Sequence, residues 1–261
     1  MTSIDSAPAV REAQSLRIRN IGPSDLIDAL RMGLADFNAT PTHAVFLSLI
    51  YPAAGLLLFA ATFRYELIPL LFPIAAGFAI LGPVAAIGLY EISRLRERGQ
   101  AVTWRNMLGI AHRRSVAAIF MLAGVLLALF ILWLAAAYGI YASIFGETAP
   151  ATLGIFVDQI TTAKGMTLLV VGNLVGFAFA VLAFAISVVS FPLLIDKDAD
   201  AVTAALTSVR AVAANPVMMT AWGLIVVALL VIGSLPLLMG LAVVMPILGH
   251  ATWHLYRKLV V

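Results

Sequence analysis

Residues 115–141 read SVAAIFMLAGVLLALFILWLAAAYGIY and contain no charged side chain. An α-helix rises 1.5 Å per residue, so about 20 apolar residues cross the roughly 30 Å hydrocarbon layer of a bilayer. This stretch is long enough, and it has Trp133, Tyr138 and Tyr141 towards one end, where aromatic side chains favour the membrane interface. The stretch therefore predicts a transmembrane helix.

The composition of the whole chain agrees with this prediction. Hydrophobic residues make up 62% of the 261 residues and charged residues 11%, with a mean hydropathy of +1.05. Soluble domains hold roughly 45–50% apolar and about 25% charged residues. The chain has no cysteine, which excludes disulfides, iron–sulfur clusters and thiolate zinc sites. We therefore expect an all-α integral membrane protein.

Six segments are long and apolar enough to span the bilayer. They cover approximately 43–63, 67–90, 115–141, 166–193, 217–234 and 236–256. Residues 217–256 form one apolar stretch that is too long for a single tilted crossing. Gly233-Ser234-Leu235-Pro236 supplies a break, with Pro236 suited to the first turn of a new helix.

The basic residues orient this threading, because short cytoplasmic loops are enriched in arginine and lysine. With both termini cytoplasmic, 14 of the 16 basic residues lie inside and only Arg64 and Lys164 lie outside. The basic charge therefore belongs beside the bilayer, which excludes nucleic acid as a partner. Residues 1–23 form a polar cytoplasmic tail, and 24–261 form a single six-helix transmembrane domain.

Three cytoplasmic stretches predict short amphipathic surface helices: 25–37, 103–114 and 200–212. Ser24 and Thr103 are the expected N-caps of the first two. In 25–37, the predicted apolar face holds Leu26, Leu30, Gly33, Leu34 and Phe37, and the opposite face holds Asp25, Asp28, Arg31 and Asp36. Each stretch precedes two crossings, so the chain is interpretable as three repeats: 24–90, 103–193 and 200–256.

The histidines admit three interpretations. His250, His254 and Glu91 are candidate ligands of a divalent metal ion, and His250 with His43 is a candidate axial pair for one haem. The interpretation we favour needs no cofactor. His250 and His254 belong to a polar and aromatic anchor at the head groups, where the predicted sixth span meets water. The other residues of this anchor are Trp253, Tyr256, Arg257 and Lys258.

Polar and small residues inside the spans are candidates for helix packing. Gly172, Asn173 and Gly176 form the motif GNLVG, which suits close approach of two helices and an interhelical hydrogen bond from the amide. A substrate contact by Asn173 is the alternative.

A further set of basic side chains is expected to contact anionic lipid head groups on the cytoplasmic side. These residues are Arg94, Arg96, Arg98, Arg113, Arg114, Arg257 and Lys258.

Four stretches together resemble an uncharacterised family of bacterial integral membrane proteins, a domain of unknown function. They are IGPSDLIDALRMGLADF (21–37), LFPIAAGFAILGPVAAIGLYEISRLRERGQAVTW (71–104), SFPLLIDKDADAVTAALTSVRAVAANP (190–216) and LPLLMGLAVVMPILGHATWHLYRKLV (235–260). The resemblance covers about 17–261 and implies a multi-pass protein of the bacterial inner membrane. Some members are labelled cytochrome c oxidase subunits, but four histidines near one membrane face are too few for a haem–copper core.

The absence of charges at mid-membrane depth and of catalytic motifs in the sequence favours a non-enzymatic accessory, assembly or scaffold component. It would contact anionic lipids and either a membrane-protein partner or further copies of itself. A small-molecule or lipid transporter and a haem- or metal-binding respiratory accessory protein are the alternatives.

Overall fold

The computed structural model describes residues 16–64, 67–112 and 115–261, and we refer only to these. Their regular structure is helical, apart from one isolated antiparallel bridge between Ile18 and Val260. The α-helices, numbered in chain order, are α1 (Pro23–Ala39), α2 (Pro41–Ser48), α3 (Ile50–Arg64), α4 (Leu71–Phe78), α5 (Gly82–Ala85), α6 (Ile87–Glu97), α7 (Trp104–Leu108), α8 (Val116–Phe145), α9 (Leu153–Ile160), α10 (Ala163–Ser187), α11 (Ser190–Asp196), α12 (Ala201–Ala214), α13 (Pro216–Ser234) and α14 (Leu241–Leu259).

Five helical segments among the described residues are long and apolar enough to cross a membrane. They are Pro41–Phe63, Ile68–Glu97, Val116–Phe145, Ala163–Asp196 and Pro216–Ser234. Each overlaps one of the first five predicted spans, and the first helical residue of each lies within three residues of the predicted start. The membrane class and the helical fold are therefore confirmed.

The predicted span 236–256 is not among these five. The helix in this region is α14, which begins five residues later than predicted. Pro236 does not open it, because the chain reverses direction through a turn in which Leu237 and Leu238 have φ of 51° and 66°. The break itself falls where it was predicted, since α13 ends at Ser234.

Three of the spans consist of consecutive helices because a proline interrupts the ladder of backbone hydrogen bonds. Breaks lie within four residues before Pro52, Pro83 and Pro192. At the third break, the Val189 amide donates instead to Ser208 Oγ at 3.1 Å. The interruption is thus satisfied by a side chain from α12.

The described parts of the three amphipathic stretches are mostly helical, with starts that follow local capping chemistry. Thr103 caps α7 as predicted, because its side chain accepts a hydrogen bond from the Asn106 amide. The prediction of Ser24 as a cap was wrong. α1 begins at Pro23, and the Gly22 amide donates to Asp25 Oδ2 at 2.9 Å.

The chain divides into two compact units. The first comprises the described parts of Met1–Pro52, Pro83–Ala123 and Ala185–Val261, and the second comprises those of Ala53–Gly82 and Gly124–Phe184. In the second, Trp133 lies in a cluster with Leu70, Ile74 and Ala137, and its Nε1 donates to the Pro73 carbonyl at 2.9 Å.

The first unit is built around α14, most of which is buried. α1 packs along α14, α7 packs on α6, and α12 packs on α11. The helices on which they pack also contact one another: α6, α11 and α14. α1 approaches α14 closely: a Cβ added at Gly33 would lie 2.6 Å from the Ala251 nitrogen.

This packing corrects the predicted orientation of α1. The face that packs against the rest of the unit carries Leu26, Ala29, Gly33 and Asp36, whereas Leu34 is exposed. Leu26 and Gly33 belong to the predicted face as well, so the packed face is turned towards Ala29 and Asp36 and away from Leu34.

Residues close to the start and the end of the chain are paired in the first unit. The Arg19 amide donates to the Leu259 carbonyl, and the Val261 amide donates to the Arg17 carbonyl. Residues 17–21 of the predicted tail 1–23 are thus held in place, while residues 1–15 lie outside the described residues.

Candidate functional site

A buried carboxylate joins three helices at the centre of the first unit. Asp36 of α1 is 6% exposed. Its Oδ2 accepts hydrogen bonds from Ser93 Oγ of α6 at 2.6 Å and from His254 Nε2 of α14 at 2.8 Å. Its Oδ1 accepts a third from Arg96 Nε at 2.8 Å. We call Asp36, Ser93, Arg96, His250 and His254 the Asp36 cluster.

The hydrogen bonds of Ser93 fix the tautomer of His250. A serine hydroxyl has one proton, and Ser93 donates it to Asp36. His250 Nδ1 lies 2.8 Å from Ser93 Oγ, so in a neutral ring it must carry the proton and donate it. His250 Nε2 is then a bare lone pair, and it is buried without a hydrogen-bond partner among the described residues.

The donors around Asp36 decide its protonation state. Burial by itself raises the pKa of the Asp36 carboxyl, but the hydrogen bonds from His254, Ser93 and Arg96 outweigh burial and lower it to about 2. Asp36 is therefore a buried anion at neutral pH. Its charge is balanced by the Arg96 guanidinium, a third of whose side chain is exposed.

A second set of polar contacts ties together the ends of α6, α11 and α14. Arg257 Nε donates to Glu97 Oε1 at 2.9 Å, and Arg257 Nη1 donates to Asp196 Oδ2 at 3.0 Å. Tyr256 Oη also donates to Asp196, and Trp253 Nε1 donates to Glu97. The polar and aromatic residues predicted as a head-group anchor thus bind carboxylates of neighbouring helices.

The structure does not bring the predicted metal ligands together. Glu91 is buried and makes a two-pronged ion pair with Arg94, with distances of 2.6 and 2.5 Å. His254 binds Asp36 and His250 binds Ser93. Among the described residues no group of three or more histidine, aspartate and glutamate side chains is arranged to hold a metal ion.

The two histidines predicted as haem ligands have different surroundings. His250 is 0% exposed, and its neighbour Gly249 lies so close to Leu89 that an added Cβ would be 2.7 Å from Leu89 Cδ1. The His43 ring packs against Trp104, with 4.8 Å between ring centroids. His250 is thus enclosed by the protein, whereas His43 packs against the ring of an exposed tryptophan.

The basic side chains predicted to contact lipid are mostly paired within the protein. Arg94 is a correction, because its buried pair with Glu91 keeps it from the head groups. The described partners of the others are Asp36 for Arg96, Asp196 for Arg98, Glu97 and Asp196 for Arg257, and Asp25 and Asp28 for Lys258. Arg113 and Arg114 lie outside the described residues.

The motif GNLVG packs through one of its three predicted residues. A Cβ added at Gly176 would lie 2.8 Å from the Trp133 ring, whereas one at Gly172 would meet nothing within 4 Å. Asn173 is exposed, and its Nδ2 donates to the Leu169 carbonyl of its own helix at 2.7 Å. Among the described residues Asn173 makes no hydrogen bond to another helix, so the interhelical hydrogen bond stays a prediction.

The sequence interpretation missed Asp36 and Ser93 as site residues. Asp36 was assigned to the polar face of an amphipathic helix, and Ser93 stood among the charged residues that follow the second span. One signal was present: Leu26, Ala29, Gly33 and Asp36 recur at intervals of three and four residues, which places the carboxylate on a face of small residues.

Part of the chain matches a known protein family. Residues 71–196 match the model of a family described as a predicted integral membrane protein, DUF2189. These residues are similar to the DUF2189 family. The expected resemblance to an uncharacterised membrane protein family is thereby confirmed for these residues. No significant match is found among curated proteins or among solved structures.

The DUF2189 region contains only part of the site. Ser93, Arg96 and Asp196 lie inside it, whereas Asp36, His250 and His254 lie outside it. The Asp36 cluster therefore joins the family region to chain segments on both sides of it.

Proposed function

We propose that this protein is a non-enzymatic structural component of the bacterial inner membrane, with six spans and both termini in the cytoplasm. It associates with a second copy of itself through the face of α10 that carries Asn173. The observation that carries this proposal is the exposed Asn173 side chain within a membrane-spanning helix.

Two observations support α14 as the sixth crossing. Its 19 residues give a length of about 28 Å, close to the thickness of the hydrocarbon layer. The backbone pairing of Arg17–Arg19 with Leu259–Val261 keeps the two ends of the bundle together. Ends on the same side of a membrane require an even number of crossings, which five spans alone do not provide.

The packing of the first unit supports a threefold repeat. Each amphipathic helix packs on the second span of the preceding predicted repeat: α7 on α6 of the first, α12 on α11 of the second, and α1 on α14 of the third. This cyclic pattern is the one that three repeats around a common axis would produce.

The use of the carboxylates in the first unit supports a structural role. Buried Asp36, partly buried Asp196 and exposed Glu97 each accept hydrogen bonds from a helix other than their own. These contacts connect α1, α6, α11 and α14 to one another, and a rigid structural component requires such connections.

The exposed Asn173 supports association. It lies ten residues into α10, about 15 Å along the helix axis. An amide facing hydrocarbon loses hydrogen bonds that water would provide, and a partner helix restores them. An amide both donates and accepts, so two copies of Asn173 related by a twofold axis satisfy each other. Gly172 beside it leaves open space for a neighbouring backbone.

Association is tested by introducing one cysteine into the chain, which has none of its own. Phe177 is 69% exposed and lies one turn beyond Asn173, so Phe177→Cys should form a disulfide-linked dimer when membranes are oxidised. Leu127→Cys, at an exposed position of α8, is the control and should remain monomeric. Light scattering in mild detergent measures the mass independently.

The role of the amide is tested in the Phe177→Cys background. Asn173→Leu should weaken association about 3- to 30-fold, the range for one hydrogen bond between membrane helices, and Asn173→Gln should retain more of it. Thr167→Val is the matched control, because Thr167 also donates to the carbonyl four residues earlier in α10. A monomer at all concentrations, or equal losses from Asn173→Leu and Thr167→Val, contradicts the proposal. If a different protein co-purifies with this one and is lost in Asn173→Leu, the contact is heteromeric and self-association is refuted.

A further inference from the structure

An open cavity of about 550 Å³ lies between the start of α2 and the end of α6 in the first unit. Its polar lining residues are Thr40, Thr42, His43, Arg96 and Gln100. Its apolar lining residues are Ala39, Pro41 and Val102. The cavity therefore offers polar groups beside an apolar wall.

The chemistry of the lining favours an anion. Arg96 Nε is occupied by Asp36, but the guanidinium has further N–H donors, and a third of the Arg96 side chain is exposed. Guanidinium groups bind phosphate oxygens through parallel hydrogen bonds. Gln100 and His43 add further N–H donors to the lining. No carboxylate is among the lining residues, and the nearest one described, Asp36, is already bound by Arg96 Nε at 2.8 Å.

An apolar surface continues from the cavity along the first span. His43, Phe46 and Ile50 are spaced by three and four residues and share one helix face. Phe46 and Ile50 are 63% and 59% exposed. Trp104 packs against both the His43 ring and the Phe46 ring, at 4.8 and 5.2 Å. An exposed tryptophan between a polar cavity and an apolar face is typical of the membrane interface.

We propose that this cavity binds the phosphate head group of an anionic phospholipid, with an acyl chain lying along Phe46 and Ile50. The phosphate is held by Arg96 and Gln100. The adjoining apolar face distinguishes a lipid from a free phosphate ion, which would gain nothing from Phe46 and Ile50. This site is separate from the face of α10 that carries Asn173.

The tryptophans of the chain provide the probe. Trp133, Trp222 and Trp253 are at most 3% exposed, whereas Trp104 is 44% exposed. Lipids with brominated acyl chains quench tryptophans that they touch. The protein is reconstituted into vesicles in which about one lipid in ten is phosphatidylglycerol and the rest are phosphatidylcholine. In one preparation only the phosphatidylglycerol is brominated, and in the other only the phosphatidylcholine. Trp104→Phe identifies the signal of Trp104.

The quenching of Trp104 by brominated phosphatidylglycerol should correspond to a fraction of this lipid beside Trp104 that is about five times its fraction in the vesicle. A fivefold enrichment corresponds to about 1 kcal/mol, the contribution of one basic residue near the surface. Inorganic phosphate at millimolar concentration should not reverse the quenching. Quenching in proportion to the share of each lipid overturns the proposal. Reversal by inorganic phosphate overturns the lipid assignment in favour of a free phosphate.

Variants separate this site from general surface charge. Arg96→Gln should abolish the enrichment, and Gln100→Leu should reduce it without touching the pair between Arg96 and Asp36. Arg31→Gln is the matched control: Arg31 is an exposed cation of α1 outside the cavity, so its loss should leave the enrichment unchanged. An equal loss of enrichment in Arg31→Gln and Gln100→Leu contradicts a defined site. Circular dichroism reports whether each variant folds.

Discussion

Replacing Asp36 by asparagine tests whether the Asp36 cluster holds the first unit together. The carboxylate accepts three hydrogen bonds, from Ser93, His254 and Arg96. An asparagine oxygen replaces one carboxylate oxygen, but the amide nitrogen then faces a donor. Ser93 and His254 are too buried to find water instead.

The expected loss is about 3 to 5 kcal/mol in the free energy of unfolding. This is the range for removing one partner of a buried charge pair, and a hydrogen bond to a charged group contributes about 1.5 to 3 kcal/mol. The assay is unfolding of the detergent-solubilised protein by added sodium dodecyl sulfate, followed by circular dichroism. Asp28→Asn is the matched control. Asp28 lies on the same helix, is half exposed and pairs with Lys258 at 3.4 Å, so its loss should cost less than about 1 kcal/mol.

A double-mutant cycle tests the mechanism beyond the size of the loss. Ser93→Ala removes the donor to Asp36 and the acceptor of His250 Nδ1. Because both changes break the same network, the losses of Asp36→Asn and Ser93→Ala should fail to add by at least about 1 kcal/mol. The reasoning is refuted if Asp36→Asn is no more destabilising than Asp28→Asn, or if the two losses add within error.

Two further predictions follow from the same unit. Gly33→Ala should lower the free energy of unfolding by about 1 to 3 kcal/mol in the same assay, because its Cβ would lie 2.6 Å from the Ala251 backbone. Gly139→Ala is the control and should not destabilise the protein, because nothing lies within 4 Å of the added atom. Equal effects of the two changes would contradict the close packing of α1 on α14. The pKa of Asp36 is lowered to about 2 from its ordinary 3.8. The folded state therefore gains about 2 kcal/mol of stability above about pH 4, and this gain is lost as the pH falls towards 2. Asp36→Asn should remove this part of the pH dependence of stability, and an unchanged dependence would show that other groups cause it.

The sequence by itself determined the membrane class, the helical fold and five of the spans. These are properties of consecutive residues: an apolar run of sufficient length has to satisfy its backbone hydrogen bonds within a helix. Local chemistry also placed the cap at Thr103, because a hydroxyl at the cap acts within three residues.

Only the tertiary structure decided which polar side chains meet. Asp36 is 57 residues from Ser93 and 218 from His254, and no periodicity of one helix indicates a partner at that distance. Leu26 and Gly33 belong both to the predicted apolar face of α1 and to the face that packs. Only the packing on α14 shows that Asp36 lies inward and Leu34 outward. Asn173 shows the same limit, because GNLVG predicts close packing of the helix but not which of its residues faces the chain's own neighbours.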